Sequence, residues 1–390
     1  MKRTKFIIIS ILLFHTIINI GQEINTRYIL EKDFSEFESI IKNDSINLVF
    51  IGDVMLHKNQ IDLAHARFKE KYGFGERSHN KHYDFRGCYR ELKSYFNDAD
   101  LSIGNMEFSL AGYPFTGYPS FSAPDSYLDY LSDCGINVFL TANNHINDRG
   151  TKGSIRSLNT YKKLKDSLGI YFTGIGYTGI KPLIIRKQSI KLALINLTYG
   201  NNNTYIKDIA PYSLSDTEGI KSAFEAAKNE EVDIIIVLPH WGIEYTLTHS
   251  KKQEKEAQFL AELGADIIIG THPHVVQDCD TLTTSDGCEV PIIYSLGNSI
   301  SNMSAAHTQV GLLLKLSLIK GLDNNFQISK PEYIFTWCSL PNNLSDTYSV
   351  IPIKKHLGSK DLSLSEFEYD KMIFNYNQVK KITRIDDTEY

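Results

Sequence analysis

The sequence predicts an α/β fold, because short apolar runs typical of buried strands alternate with stretches of helical spacing along much of the chain. The alternation is most regular between residues 126 and 270. Several apolar runs also end in groups that can bind a metal ion, such as His240 and His272. Neighbouring strands of an α/β sheet end at a common crevice, so these observations together predict a site at one edge of a sheet.

Length and composition are consistent with this fold class. The 390 residues are 42% hydrophobic, which is sufficient for one large core or two smaller ones. The formal net charge is −5, and no basic patch offsets it. The sequence therefore argues against an electrostatic grip on nucleic acid.

The predicted elements follow one another in a simple order. Strands are predicted at residues 47–51, 100–104, 137–142, 170–173, 233–239 and 266–270, with a further pair within 182–196. Helices are predicted at residues 126–134, 153–168, 217–229, 251–263 and 363–382. A long polar insert at 57–97 lacks clean periodicity, and within it only 84–96 suggests a helix. Between 298 and about 353 the chain is rich in predicted strands.

The first 22 residues have the pattern of an export signal. Lys2, Arg3 and Lys5 precede an apolar run at residues 6–20, as in the charged and hydrophobic regions of a signal peptide. No small-residue cleavage site is evident before Gln22. Two alternatives stay open, a cleaved signal peptide or an uncleaved N-terminal anchor, and both predict an exported protein that is periplasmic, extracellular or anchored to the membrane.

The five cysteines are too few and too scattered for a disulfide scaffold. Cys279 and Cys288 flank a polar stretch at 280–287 that is typical of a hairpin tip. In an exported protein they could form a disulfide or remain two free thiols, and both alternatives stay open.

The ends of the apolar runs carry the chemistry. Five runs in succession are followed by metal-competent side chains, which are Asp53, Glu107, Asn144, His240, and His272 with His274. A mixture of carboxylate, imidazole and amide ligands suits a divalent transition metal such as Mn, Fe, Zn or Co. An all-oxygen set would favour Ca or Mg. The pattern predicts one or two ions, with a carboxylate able to bridge a pair.

These residues lie in motifs that resemble the CapA family of capsule (poly-γ-glutamate) synthesis proteins, which are similar in fold to the calcineurin-like metallophosphatases. The resemblance covers residues 46–300 in the same order. Its motifs are Gly52-Asp53, Asn105-x-Glu107, Asn143-Asn144-His145 with Asp148 and Gly150, Pro239-His240-Trp241-Gly242 with Glu244-Tyr245, Gly270-x-His272-Pro273-His274 and Tyr294-Ser295-Leu296-Gly297-Asn298.

The resemblance implies a four-layer, metallophosphatase-like α/β sandwich with metals at its strand ends. It also implies a division of the chain into a signal peptide or anchor at 1–22, a CapA-like domain at 46–320, and a C-terminal extension at 321–390 that packs on this domain.

The resemblance also assigns roles to single residues. Glu107 would bridge the metals, Asn144, His240 and His272 would complete one position, and Asp53 with His274 would hold the other. His145 would be the general acid that protonates the leaving group. The other implied site residues are Asp148, which would orient His145 or cap the following helix, Glu244, which would line the cleft or only pack in a loop, and Asn298, which would lie near the metals or in a turn.

Two positions depart from the metallophosphatase pattern. That pattern has Asp-x-His at the first motif, whereas this chain has Asp53-Val54-Met55. A thioether is a poor ligand for a borderline divalent ion, so this metal position is expected to lack one ligand or to use water or His57. The second departure is Glu107 in place of a shorter bridging Asp. CapA-like proteins share both features.

Two functions are compatible with these patterns. The first is an exported metal-dependent hydrolase of capsule or surface-polymer biosynthesis, acting on a phosphoester or a polymer linkage. The alternative is a non-catalytic binding or export component of a capsular polymer synthesis complex. The expected partners are an anionic polymer or phosphoester substrate and membrane-bound capsule synthesis proteins, without nucleic acid.

Overall fold

The computed structural model describes residues 44–202, 209–321, 326–358 and 364–388. The predicted export signal at 1–22 lies outside these ranges. Among the described helices, none is long and apolar enough to cross a membrane.

The order of strands and helices follows the alternation predicted from the sequence. The strands are β1 Asp44–Val54, β2 Leu101–Met106, β3 Val138–Leu140, β4 Tyr171–Thr173, β5 Ile175–Gly176, β6 Leu183–Lys187, β7 Ile190–Thr198, β8 Ala210–Pro211, β9 Ile234–His240, β10 Ile267–Ile269, β11 Cys279–Thr283, β12 Glu289–Ile293, β13 Asn298–Ile300, β14 Val310–Lys320, β15 Phe326–Ile328, β16 Glu332–Ser339 and β17 Ser349–Pro352. The α-helices are α1 Lys58–Tyr72, α2 Lys93–Asn97, α3 Ser126–Asp133, α4 Gly150–Leu168, α5 Thr217–Asn229, α6 Lys251–Glu262 and α7 Glu366–Thr383.

The strands form two main sheets. The first sheet has the order β17-β16-β14-β1-β2-β3-β4, in which β1 to β4 are parallel and β14, β16 and β17 pair antiparallel. The short strand β13 also pairs with the end of β1, where Asp53 lies opposite Asn298. The second sheet has the order β11-β12-β10-β9-β7-β6, with four parallel strands flanked by the antiparallel strands β6 and β11.

The two sheets pack face to face, and helices cover their outer faces. Leu48 of β1 and Ile236 of β9 belong to one buried cluster between the sheets. Tyr161 of α4 packs in a second cluster on the outer face of the first sheet, and Phe224 of α5 packs in a third on the outer face of the second sheet. Each such side chain contributes about 1.5–3 kcal/mol when it is fully buried. The result is the predicted four-layer α/β sandwich, so the fold class is confirmed.

The polar insert at 57–97 contains a helix that the sequence pattern did not reveal. Helix α1 begins after His57, where His57 and Gln60 form a reciprocal capping box. Its buried residues are Gln60, Ile61, Ala64 and His65, so half of its inner face is polar and apolar periodicity is weak. The prediction of one helix at 84–96 was wrong in extent, since only α2, Lys93–Asn97, is helical there.

The hairpin predicted around residues 280–287 is present as β11 and β12, but the two cysteines do not approach each other. Cys279 lies opposite Ile293, whereas Cys288 follows the turn next to the Thr283–Glu289 pair. They are separated along the hairpin by about 17 Å, at roughly 3.4 Å per residue, which is too far for a disulfide. Both thiols are free.

The C-terminal part of the described chain contributes to the same core. Strands β16 and β17 extend the first sheet. Met372, Tyr376 and Val379 of α7 belong to the buried cluster that also contains the facing surfaces of the two sheets.

Candidate metal centre

The predicted site residues converge where strands of both sheets end. Asp53 lies at the end of β1, and Glu107 directly follows β2. From the second sheet, His240 is the last residue of β9, and its Nδ1 lies 3.8 Å from Asp53 Oδ1. The carboxyl ends of the parallel strands in the two sheets therefore meet at one crevice.

Glu107 lies at the middle of this crevice. Its Oε1 is 3.7 Å from His240 Nε2, 3.7 Å from His274 Nε2 and 4.0 Å from His145 Nε2. The residue has no exposed surface, and neither carboxylate oxygen has a hydrogen-bond partner among the described residues. A buried carboxylate normally requires donors or a cation, so Glu107 fits a metal-bridging role.

Two buried groups of ligand atoms share Glu107. One is formed by Glu107, His240 and His272, and the other by Asp53, Glu107 and His274. Within each group the ligand atoms lie within 4.8 Å of one another. Asn144 joins the first group, because its Oδ1 is 2.8 Å from His240 Nε2. The structure thus brings together all six residues predicted as metal ligands, in the two sets that the resemblance implies.

The electrostatics of the imidazoles suit metal binding. Burial, followed by the neighbouring His272, holds the pKa of His240 well below its ordinary value. Burial, followed by His274, lowers the pKa of His272 to about 3. Both rings are therefore neutral near pH 7, which is the form that binds metal. Burial also acts to lower the pKa of His274, but the hydrogen bond and charge of Asp53 outweigh it and raise that pKa.

Glu107 shows the opposite electrostatic signature. Burial, followed by the charge of Asp53, raises the pKa of Glu107 well above its ordinary value. Two carboxylates this close repel each other when both are ionised. A divalent cation between them would reverse that effect, because it favours the charged form of both.

Buried amides fix the geometry of the ligands. Asn105 Nδ2 lies 2.8 Å from Asp53 Oδ1 and 3.2 Å from His240 Nδ1, and Asn143 donates to Asn105 Oδ1 at 3.2 Å. Asn298 is buried, and its Oδ1 is 3.0 Å from His274 Nδ1. These contacts orient the ligands across three strand ends. Although Asn105 belongs to a recognised motif, the sequence analysis gave it no role at the site.

His145 and Asp148 form a pair beside the centre. His145 Nδ1 is 2.8 Å from Asp148 Oδ2, and the same oxygen accepts a hydrogen bond of 2.8 Å from the backbone N–H of Phe121. The N-cap of α4 is Arg149, so the alternative role of Asp148 as the helix cap is wrong. With Nδ1 turned toward Asp148, the Nε2 atom of His145 faces Glu107.

The thioether of Met55 lies in an apolar setting. Met55 is 2% exposed and belongs to the cluster between the first sheet and its helices. His57 lies nearer the crevice, since Phe121 stacks edge-on between the rings of His57 and His145, with centroids 5.4 and 4.7 Å away. Burial is the main cause that lowers the pKa of His57 to about 4, although His57 belongs to none of the candidate ligand groups.

The outer rim of the crevice is aromatic and acidic. The Tyr199 ring lies 4.5 Å from the His272 ring, and the Tyr245 ring lies 6.1 Å from the His274 ring. Glu244 is exposed and has a carboxylate oxygen within 4.8 Å of ligand nitrogens of His272 and His274. The sequence analysis placed Glu244 in the cleft but missed Tyr199.

Asn202 is a further residue that the sequence analysis missed. Its Nδ2 is 3.1 Å from His145 Nδ1, and its Oδ1 lies 3.5 Å from Asn144 Nδ2. A signal was available, because an Asn run at 201–203 follows the buried strand β7, just as the other site residues follow theirs.

Two proteins of capsule synthesis are similar to this chain in sequence. The chain is 24% identical over 293 residues to the capsule biosynthesis protein CapA of Bacillus anthracis, covering 71% of this chain and 65% of that protein. It is 25% identical over 300 residues to the PGA biosynthesis protein CapA of Bacillus subtilis strain 168, covering 74% of this chain and 71% of that protein. The alignment thus spans slightly less than two-thirds of the Bacillus anthracis protein.

Similarity to solved structures is more distant. The NAD nucleotidase NadN of Haemophilus influenzae superposes with a TM-score of 0.44 and 13% identity, covering 90% of this chain and 65% of that one. The protein TT1561 of Thermus thermophilus superposes with a TM-score of 0.35 and 9% identity, covering 74% of this chain and 99% of that one.

The family assignment rests on the sequence match. A family model described as bacterial capsule synthesis protein PGA_cap matches residues 47–303. This match covers more than half of the chain and includes every predicted metal ligand from Asp53 to His274. The chain therefore belongs to the PGA_cap family of bacterial capsule synthesis proteins, as its motifs predicted.

Proposed function

We propose that this chain is a metal-dependent hydrolase of capsule or surface-polymer biosynthesis, which uses one or two divalent ions of Mn, Fe, Zn or Co. The observation that carries the proposal is Glu107, a buried carboxylate with no hydrogen-bond partner among the described residues, set between His240 and His274. Such a group is costly in a metal-free protein and favourable beside a cation.

The ligands of the proposed ions come from both sheets. Glu107, Asn144, His240 and His272 would hold one ion. Asp53, Glu107 and His274 would hold the other. A pair of divalent ions supplies a nucleophilic water at neutral pH and stabilises charge on the leaving oxygen.

Protonation of the leaving group would be carried out by side chains beside the metal centre. Asp148 accepts from His145 Nδ1 and so holds the ring with Nε2 toward the crevice. In this position a protonated His145 delivers its Nε2 proton to the leaving group. The ring of Phe121 packs edge-on against His145 and limits its rotation, so the acid is positioned before substrate arrives.

The proposed substrate and location are supported by the names of the similar proteins and by the N-terminal sequence pattern. The similar proteins are named for capsule and PGA biosynthesis, which supports a phosphoester or anionic polymer linkage as substrate and membrane-bound capsule synthesis proteins as partners. The basic and apolar N-terminal pattern supports export, to the periplasm, to the exterior or to a membrane anchor.

A second candidate function is a non-catalytic binding or export component of the synthesis complex. It is favoured by Met55, which occupies the place of a metal-binding imidazole and packs in an apolar cluster instead. In that case the centre would bind its ions and the polymer without turnover.

The experiment that tests the centre compares metal retention in matched variants. We expect at least one transition-metal ion per wild-type chain after dialysis, measured by mass spectrometry of the metal. His240→Ala should retain far less metal. Loss of a residue that only orients a ligand already lowers metal affinity about 10–100-fold, and His240 is itself a proposed ligand. His249→Ala is the control, since that ring stacks on Tyr294 outside the centre.

Equal metal content in the wild type, His240→Ala and His249→Ala would refute the centre. Turnover of a generic aryl phosphate by the metal-loaded wild type would support the hydrolase, and its absence on both aryl phosphate and capsular polymer would favour the binding component.

A further inference from the structure

The two buried ligand groups are unequal. The group of Glu107, His240 and His272 gains a further donor from Asn144. Beside the group of Asp53, Glu107 and His274, the amide oxygen of Asn298 contacts Nδ1 of His274, whereas it is Nε2 of His274 that faces Glu107. Met55 supplies this group with only a thioether where an imidazole is expected. Transition-metal ions of this class usually take four or more ligands, so this second position calls for another donor.

Glu244 lies where such a donor is needed. One of its carboxylate oxygens is within 4.8 Å of ligand nitrogens of both His272 and His274. His272 belongs to one buried group and His274 to the other. Glu244 therefore spans both positions from the exposed side, while the fully buried Glu107 spans both from within the protein.

The segment that carries Glu244 is held firmly in place. The backbone N–H of Tyr245 donates to Pro273 O at 2.8 Å, which ties Glu244 to the His272–His274 segment. Tyr245 has a φ of 65°, a left-handed conformation that is unfavourable for a non-glycine residue. Strain of this kind persists where the surroundings enforce it, and it is concentrated at functional sites.

Two buried glutamines, Gln253 and Gln277, contact this segment from the protein interior. Gln253 Nε2 donates to Gln277 Oε1 at 2.8 Å, and Gln277 Nε2 in turn donates to the backbone carbonyls of Thr246 and Thr248 at 2.9 and 3.1 Å. A Cβ at Gly242 would come within 2.8 Å of Gln253 Nε2, so the loop also depends on a glycine there. These contacts fix the approach of Glu244 to the centre.

The charge of Glu244 suits a metal ligand at this position. Three carboxylates with three neutral imidazoles would balance most of the charge of two divalent ions.

We propose that Glu244 is a metal ligand that closes the exposed side of the centre and replaces the imidazole missing at position 55. This inference rests on the proposed metal centre and extends it with a ligand from the loop after β9. The centre would then have two carboxylates, Glu107 on the buried side and Glu244 on the exposed side, and each would lie near both ions.

In the test, metal-free protein is titrated with Zn²⁺ in the presence of a competing chelator. Calorimetry measures the number of ions bound and the affinity for each. The wild type is expected to bind two ions. Glu244→Gln keeps the size and removes the charge. It should bind the ion of the Asp53, Glu107 and His274 group at least about 10-fold more weakly, with a smaller loss for the other ion. Glu289→Gln is the matched control, since Glu289 is an exposed glutamate on β12, outside the candidate groups.

The outcomes separate this inference from the proposed function. Wild-type protein that binds Zn²⁺, together with Glu244→Gln that binds the same number of ions at the same affinity, overturns the role of Glu244 and leaves the metal centre intact. Wild-type protein that binds no Zn²⁺ overturns both. Because Glu244 is exposed, the variant is expected to fold, and equal melting temperatures of the metal-free wild type and variant check this.

Discussion

Replacing Glu107 by Gln should make the metal-free protein more stable and the metal-loaded protein less stable. Both Glu107 oxygens are buried without a hydrogen-bond partner among the described residues, and an unsatisfied buried polar group costs about 1–3 kcal/mol, more when it is charged. The amide is neutral, and it can donate to a neighbouring carboxylate. We therefore expect the free energy of unfolding of the metal-free protein to rise by about 1–3 kcal/mol.

With metal present, the order should invert. A ligand at 1,000 times its dissociation constant stabilises the folded state by about 4.1 kcal/mol, which exceeds the gain expected for the metal-free variant. The wild type should gain this amount, whereas Glu107→Gln loses the carboxylate shared by both ligand groups and should gain little. A carboxylate that serves metal binding is indicated when the variant has the higher free energy of unfolding without metal and the wild type has the higher one with metal. Neither comparison alone is sufficient.

The pH dependence of the metal-free protein gives a second readout of the same group. The pKa of Glu107 is raised above its ordinary value of 4.5, first by burial and then by Asp53. A raised pKa in the folded state means that its contribution to stability is fully present below about pH 4.5 and is lost as the pH rises through the folded value. Glu107→Gln should remove this part of the pH dependence.

Urea unfolding with chelator or with excess Mn²⁺ measures all three effects. The control is Glu368→Gln on α7, because Glu368 is also a buried glutamate but accepts a hydrogen bond of 3.1 Å from Trp337 Nε1. Its substitution should shift stability equally with and without metal. A Glu107→Gln protein that is less stable than the wild type under chelator, and that keeps the full stabilisation by Mn²⁺, would refute the assignment.

Two other substitutions test neighbouring roles. His145→Ala should keep the metal and reduce turnover by roughly 10²–10⁴-fold on a substrate with a poor leaving group, with a smaller loss on an activated aryl phosphate; an equal loss on both substrates would contradict the acid role. Met55→Leu should leave metal content and affinity unchanged and shift stability by less than about 1.5 kcal/mol, because Met55 packs as an apolar residue; a fall in metal content would instead make its sulfur a ligand.

The sequence was most informative where strands are buried on both faces. Residues such as Ile234, Ile235 and Ile236 have no polar alternation, so the run could be identified as an interior strand, and the group that follows it had to lie at the sheet edge. The same reasoning placed Asp53 and His240 correctly. Parallel strands bring their ends together irrespective of the details of packing, so this part of the site follows from strand order alone.

The sequence was less informative where polar side chains do the packing. Helix α1 buries Gln60 and His65 beside Ile61 and Ala64, so its inner face is not marked by hydrophobicity. The approach of Asn202 to His145 likewise depends on the path of an irregular segment, and local sequence patterns do not determine that path. The positions of loop residues relative to the ligands required tertiary structure.

The position of the ligands also couples the centre to the core. Asp53, Glu107 and Asn144 follow strands of the first sheet, whereas His240 and His274 follow strands of the second. An ion held by residues from both sheets would join the sheets at the edge where their apolar interface ends and charged groups begin. Without it, Asp53 and Glu107 repel each other at that edge, as the raised pKa of Glu107 indicates. Metal binding should therefore stabilise the packing of the sheets as well as prepare the site, so unfolding under chelator is expected to report on the same residues as the proposed hydrolysis.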